Sequence, residues 1–198
     1  GLPSFCGVVS NAGKATFKGL ELEASARFGG GFGLAGSLGY IDAQYDEYIT
    51  NIGNTPTDVA AFRVVQNTPE VTGSITASYD TPVGPGDLYL GTTLSYRSKT
   101  SQFEIPNPYL DQGGYALLDA SIVYSAPGDR WSVGVYGKNL LDKEYKTSGY
   151  TFVATDPVTG DIVNGANGFP VPTLGPEGTL TAFYGNPRQV FATLTFSY

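Results

Sequence analysis

VFATLTFSY, residues 190–198, alternates apolar and polar side chains through to the aromatic Tyr198. Val190, Ala192, Leu194, Phe196 and Tyr198 share one face, while Phe191, Thr193, Thr195 and Ser197 share the other. A period of two identifies a strand, because successive side chains of an extended backbone point to opposite faces. The unbroken apolar face needs a cover. A second sheet supplies it in a soluble sandwich, and lipid supplies it in an outer-membrane barrel.

Working outward, the same pattern recurs. Leu20, Leu22, Ala24, Ala26 and Phe28 oppose Glu21, Glu23, Ser25 and Arg27, and after Gly29–Gly31 the alternation resumes through Phe32, Leu34, Gly36, Leu38 and Tyr40. Val71 to Tyr79 and Leu88 to Tyr96 form a second pair around the turn TPVGPGD, Thr81–Asp87. Leu118 to Tyr124 and Trp131 to Val135 flank APGDR, Ala126–Arg130. With the terminal segment this predicts about seven antiparallel strands of membrane-crossing length.

Connections alternate strictly between short and long. The short ones lie near Gly29, Pro82 and Gly128, and the long ones span about 46–68, 98–114 and 146–186. Barrels of the outer membrane pair short periplasmic turns with long outside loops, whereas long loops are uncommon in compact soluble domains. The polar face carries Glu21, Glu23, Arg27, Arg97, Asp119 and Lys138, which suits a watery lumen better than a sandwich interior. Aromatics such as Phe28, Phe32, Tyr40, Tyr79, Tyr96, Tyr124 and Trp131 fall near strand ends, where an interfacial girdle belongs. The predicted fold is all-β, an antiparallel transmembrane barrel segment.

Composition narrows the chemistry. The 198 residues include 27 glycines, 14 tyrosines and 11 phenylalanines, with no histidine, no methionine and one cysteine, Cys6. No disulfide can form within the chain, no His-based metal site exists, and a Ser-His-Asp arrangement is impossible. A formal charge of −7 argues against nucleic acid. No apolar run approaches the roughly 18 residues of a transmembrane helix. The chain opens on Gly1 without a signal peptide and reads as a piece of a longer protein.

Three stretches reach a family. GKNLLDKEY, Gly137–Tyr145, resembles the carboxy-terminal signature of TonB-dependent outer-membrane receptors, with Asn139, Leu140, Asp142 and Tyr145 in the Asn-Leu-x-Asp-x-x-Tyr positions. YGNPRQVFATLTFSY, Tyr184–Tyr198, is similar to the family's ending, where a Gly-x-Pro-Arg turn leads into the last strand. KGLELEASARF followed by LAGSLGYIDAQY looks like a recurrent late hairpin of the family. The resemblance implies a barrel of about 22 strands, of which residues 1–198 form roughly the last third, the carboxy-terminal portion. A plug domain and TonB box would belong to the rest of the protein. It also implies uptake of a scarce nutrient (ferric siderophore, other iron source, corrinoid or oligosaccharide) with energy from TonB. The partners expected are that small-molecule nutrient, outer-membrane lipid and lipopolysaccharide, TonB through the plug, and the assembly machinery, which would read Phe196 and Tyr198. A passive porin-type channel and a soluble carbohydrate-binding sandwich are the alternatives.

No cofactor and no catalysis are expected. GFGLAG, Gly31–Gly36, fits the dinucleotide pattern, but alternation follows it instead of a helix. Glu21 and Glu23 read as lumen carboxylates rather than an acid–base pair. Ligand-facing candidates are the loop aromatics Phe103, Tyr109, Tyr150, Phe152, Phe169, Phe183 and Tyr184, which suit a stacking platform. Acidic loop residues Asp46, Glu47, Asp58, Asp156 and Asp161 read as a solvated rim.

Overall fold

In the computed structural model, which describes residues 13–174 and 180–197, the alternating segments form one antiparallel sheet. The strands are β1 (Gly13–Arg27), β2 (Phe32–Ile52), β3 (Thr55–Asp58), β4 (Val71–Val83), β5 (Gly86–Arg97), β6 (Tyr115–Ser125), β7 (Trp131–Lys138), β8 (Lys146–Thr151), β9 (Leu180–Tyr184) and β10 (Gln189–Phe196). The wall runs β1-β2-β4-β5-β6-β7-β10, each strand bonded to the next, with β3 prolonging the β2 edge; β8 and β9 make a separate ribbon. Among the described residues there is no α-helix. The chain is an open segment of barrel wall, as the periodicity predicts. Tyr198 and Cys6 lie outside the described residues, so the terminal face ends at Phe196, opposite Trp131.

Register carries the apolar face across every strand. Opposed residues of an antiparallel pair point the same way. One row reads Ala24–Gly36–Ile75–Leu94–Leu118 and another Phe32–Tyr79–Leu90–Ile122–Val135–Ala192. No other described residue covers these rows: Ile75 is 59% and Ile122 52% exposed. The chain exposes 13367 Å², against about 9,000 Å² for a soluble monomer of its mass. That excess rules out the sandwich. The one hydroxyl in the middle of the first row's neighbour, on Thr92, donates to the Asp119 carbonyl at 3.1 Å, as a polar group facing hydrocarbon must.

The opposite face carries most of the polar side chains, alongside Tyr136 stacked on Phe191 with centroids 5.2 Å apart. Ser37 and Ser74 hydroxyls meet at 2.8 Å, Thr76 and Thr93 at 2.9 Å, and Lys138 bonds Asp119 at 2.8 Å. Girdle aromatics collect at the turn end, where Phe28 meets Phe32 and Tyr124 meets Trp131, their ring centroids 5.7 and 5.6 Å apart. Tyr40 and Tyr96 mark the loop end. At the turn end the two-residue Gly84-Pro85 connection needs glycine first, at φ +61, as does Gly53-Asn54 between β2 and β3 at the loop end, at φ +64.

The structure corrects the strand limits. β1 begins at Gly13 rather than Leu20, and β2 continues to Ile52, well inside the expected loop 46–68. Their 15-residue pairing extends about 50 Å, more than a tilted crossing of about 11 residues requires. The wall therefore projects past the apolar belt at the loop end. The last long loop is also not structureless, since it contains β8 and β9.

Candidate functional site

Apart from Ala126 in the short turn between β6 and β7, the buried side chains of the described residues gather at the loop end, not in the wall. Val59 and Leu110 are fully buried, with Arg63, Thr100, Asn107 and Gln112 nearly so. Two loops supply them, residues 59–70 and 98–114, and a third, residues 139–188, adds Asn139. The first and second are joined by Val64 N–H to the Glu104 carbonyl at 2.9 Å and by Asn67 N–H to the Ser101 carbonyl at 2.8 Å. Arg97 rises from β5 to donate to the Asn67 carbonyl and Oδ1, at 3.0 and 2.9 Å. The second and third are joined at Lys146, whose N–H donates to Gln112 Oε1 at 2.6 Å and whose ammonium donates to the carbonyls of Tyr109 and Asp111, at 2.7 and 3.0 Å. The first and third are joined by Arg63, which donates to the carbonyls of Val158 and Pro157 at 3.0 and 3.3 Å. The loops form one interlocked cap.

The β8–β9 ribbon has two unlike faces. Gly149 of β8 packs against Leu110 and takes the ribbon onto the cap. Tyr150, Phe152 and Phe183 share the other face: Tyr150 is 5.8 Å from Phe152 and 6.1 Å from Phe183, centroid to centroid. All three remain open to solvent. Of the seven aromatic candidates the structure brings these three together. Tyr184 is exposed and joins no ring contact among the described residues, Phe169 stands alone at 70% exposure, Tyr109 is exposed above Lys146, and Phe103 is half-buried within the second loop.

The signature residues have a different task. Asn139, 5% exposed at φ +48, donates from Nδ2 to the carbonyls of Lys143 and Asn186, both at 3.0 Å, and accepts Lys143 N–H at 2.9 Å. Leu140 N–H reaches back to the Leu118 carbonyl at 2.7 Å. Asp142 accepts Arg188 N–H at 2.9 Å. Tyr145 stacks on Tyr115 at 4.6 Å, covers Gly185 and accepts the Gly185 N–H at 2.9 Å. Together they pinch the base of the third loop and deliver β10 to the edge of β7. These positions are structural.

A model of the family described as TonB dependent receptor-like, beta-barrel, matches residues 2–140. The chain belongs to this family. It is 29% identical over 194 residues to the ferrichrome outer membrane transporter/phage receptor of Escherichia coli strain K12, and 31% identical over 144 residues to the pesticin receptor of Yersinia pestis. Those alignments cover 94% and 72% of this chain but 20% of each relative, so the chain spans about a fifth of their length. Among solved structures it resembles the ferric yersiniabactin uptake receptor of Yersinia pestis, with TM-score 0.64 and 23% identity over 93% of this chain and 24% of that one. It also resembles the siderophore receptor PiuA of Acinetobacter baumannii, with TM-score 0.61 and 17% identity over 93% and 22%. Both share the wall topology. For this TonB-dependent receptor segment the bare apolar face is a lipid face, and its place is the outer membrane.

Sequence reasoning missed two features. Tyr45 and Tyr48 make an edge-to-face pair at 5.0 Å. Strict alternation would put them on opposite faces, but a bulge opposite Lys14 and Ala15 inserts Asp46 and brings them to one side. Nothing local foretold that bulge; its stabilising contact, Thr16 Oγ1 to Asp46 Oδ2 at 2.6 Å, comes from the neighbouring strand. Arg63 was the second, because its acceptors lie 94 and 95 residues away.

Three of the acidic residues expected as a solvated rim also tie turns. Asp58 accepts the N–H groups of Ala60 and Tyr48, and Asp156 those of Thr159 and Val158, while Asp161 accepts the Thr159 hydroxyl. The backbone donors hold the Asp58 and Asp156 carboxyls below their usual range. A depressed folded-state value adds stability that is complete above the ordinary carboxylate range and is lost as pH falls through the depressed one. Amide protection at Ala60, Val158 and Thr159 is therefore expected to hold at pH 5 and to fall below about pH 3.9. Protection unchanged well below that value would show that these carboxylates contribute nothing to the loops.

Proposed function

We propose that this chain is the carboxy-terminal wall and outer-loop portion of a receptor that captures a ferric siderophore outside the cell and imports it with energy from TonB. The open aromatic face of the β8–β9 ribbon carries the reading. Three rings are held on a cap fixed by backbone and side-chain bonds, which is how a rigid scaffold offers a preformed stacking surface. The relatives support the ligand class, one being named a ferrichrome transporter and another a siderophore receptor. On this reading residues 1–198 are about the last third of a barrel of about 22 strands. The long loops then face outward, a plug domain completes the lumen, lipopolysaccharide meets the outer part of the lipid face, and β10 with Phe196 and Tyr198 is read by the assembly machinery.

The test uses the whole receptor and two radioiron-loaded probes, ferrichrome and ferric yersiniabactin. One probe is expected to bind, and each of Tyr150→Ala, Phe152→Ala and Phe183→Ala should weaken it about two- to tenfold. An unweakened triple variant would remove the ribbon from the site. Uptake that persists without TonB would move the protein to the class of passive channels.

A further inference from the structure

Arg63 is 9% exposed, and no carboxylate lies within 4.0 Å of it among the described residues. Its three acceptors are neutral carbonyls, those of Phe62, Pro157 and Val158. A buried cation is costly unless its donors are satisfied, and a planar guanidinium can satisfy several carbonyls at once where an ammonium cannot. Two of those carbonyls belong to the tip of the third loop. The tip is shaped to meet them: Asp156 folds the turn by accepting the N–H groups of Val158 and Thr159, and Gly160, at φ +79, lets the backbone press against Ile105 of the second loop.

The tip is also continuous with the aromatic ribbon. Past β8 the bridges Val153 to Pro172 and Thr155 to Ile162 extend the pairing as far as Asp156, and Phe152 accepts the Thr173 N–H at 2.9 Å. Displacing the tip therefore displaces the strand that bears Tyr150 and Phe152.

We propose that Arg63 is a positioning residue, the latch that docks the third-loop tip on the first loop and so presets the aromatic face before any ligand arrives. Its ligand-binding consequence rests on the function proposed above, whereas the latch itself does not. The experiment compares the intact receptor with Arg63→Ala and Arg63→Lys by hydrogen exchange and by uptake of ferrichrome and ferric yersiniabactin.

In Arg63→Ala, exchange at Gly160 and Val163 should rise at least about tenfold, as expected when charge-assisted bonds are lost, while β5 stays protected. The KM for uptake should rise by a similar factor with the maximal rate kept, because only the preorganisation is lost. Arg63→Lys should fall between, having a charge but no fork. Unchanged exchange at the tip overturns the proposal, and so does a loss of maximal rate at constant KM. If Arg63→Ala fails to assemble, Gly160→Val displaces the tip with Arg63 left in place, and absence of the same exchange and KM pattern overturns the latch. Faster exchange together with no binding of either probe by the unaltered receptor would sink the siderophore reading and leave the latch standing.

Discussion

Ile75→Arg is expected to destabilise the assembled receptor by about 2–4 kcal/mol, the cost of an arginine on the lipid face near the middle of the bilayer. Ile75 lies in the row Gly36–Ile75–Leu94, is 59% exposed and has glycine as one neighbour, so no side chain shelters a charge there. The residue beside it provides the control. Thr76 is on the opposite face, its hydroxyl 2.9 Å from that of Thr93, and the same face already carries Arg27 and Arg97. Thr76→Arg should therefore change stability by less than about 1 kcal/mol. Denaturant unfolding of the whole receptor in lipid vesicles measures both. Equal costs at 75 and 76 would show that the two faces of the sheet have been assigned wrongly.

Asn139→Ala is the second large effect, about 3 kcal/mol. Three hydrogen bonds disappear, and the Lys143 and Asn186 carbonyls and the Lys143 N–H lose their partner in a site that is 5% exposed. An unpaired buried group costs about 1–3 kcal/mol, so partial access of water to the opened site keeps the total near the stated value. Alanine also tolerates φ +48 less well than asparagine does. By contrast Arg188→Ala removes a half-exposed ion pair to Asp142 at 3.6 Å and should cost under about 1 kcal/mol. Thermal unfolding of the assembled receptor gives both values, with binding of the ferrichrome and ferric yersiniabactin probes measured alongside. The pinch closes the base of the loop, so affinity per folded molecule should stay constant in Asn139→Ala. A stable Asn139→Ala receptor would mean that the signature does something other than hold β10.

The wall was legible because its information is local. Whether residue 22 or 23 faces lipid depends only on the backbone's period of two, and a nine-residue window such as 190–198 displays it. The short turns were readable for the same reason, since Gly84-Pro85 selects its geometry within two residues. The signature was legible as a family mark, though its role was not: Asn139 shows its purpose only when Asn186, 47 positions on, is beside it. Among the candidate aromatics, composition could pick out Tyr150, Phe152 and Phe183 but could not separate them from Phe103, Tyr109, Phe169 or Tyr184, because ribbon pairing decides which rings meet.

By itself, then, the amino-acid sequence determined strands with one apolar and one polar face; that they form a single uncovered layer was decided by the exposed area of the folded chain. The sequence also set the long connections at one end. Alternation and turn chemistry are properties of neighbours, and they act before the chain folds. Only the tertiary structure decided how that end is built. The bulge that turns Tyr45 and Tyr48 to one side, the burial of Arg63 against carbonyls of another loop, and the aromatic face of β8 and β9 all depend on segments tens of residues apart. The partners of Arg63 and of the paired ribbon strands are main-chain carbonyls and N–H groups, which nearly every residue carries, so no residue type announces them in advance.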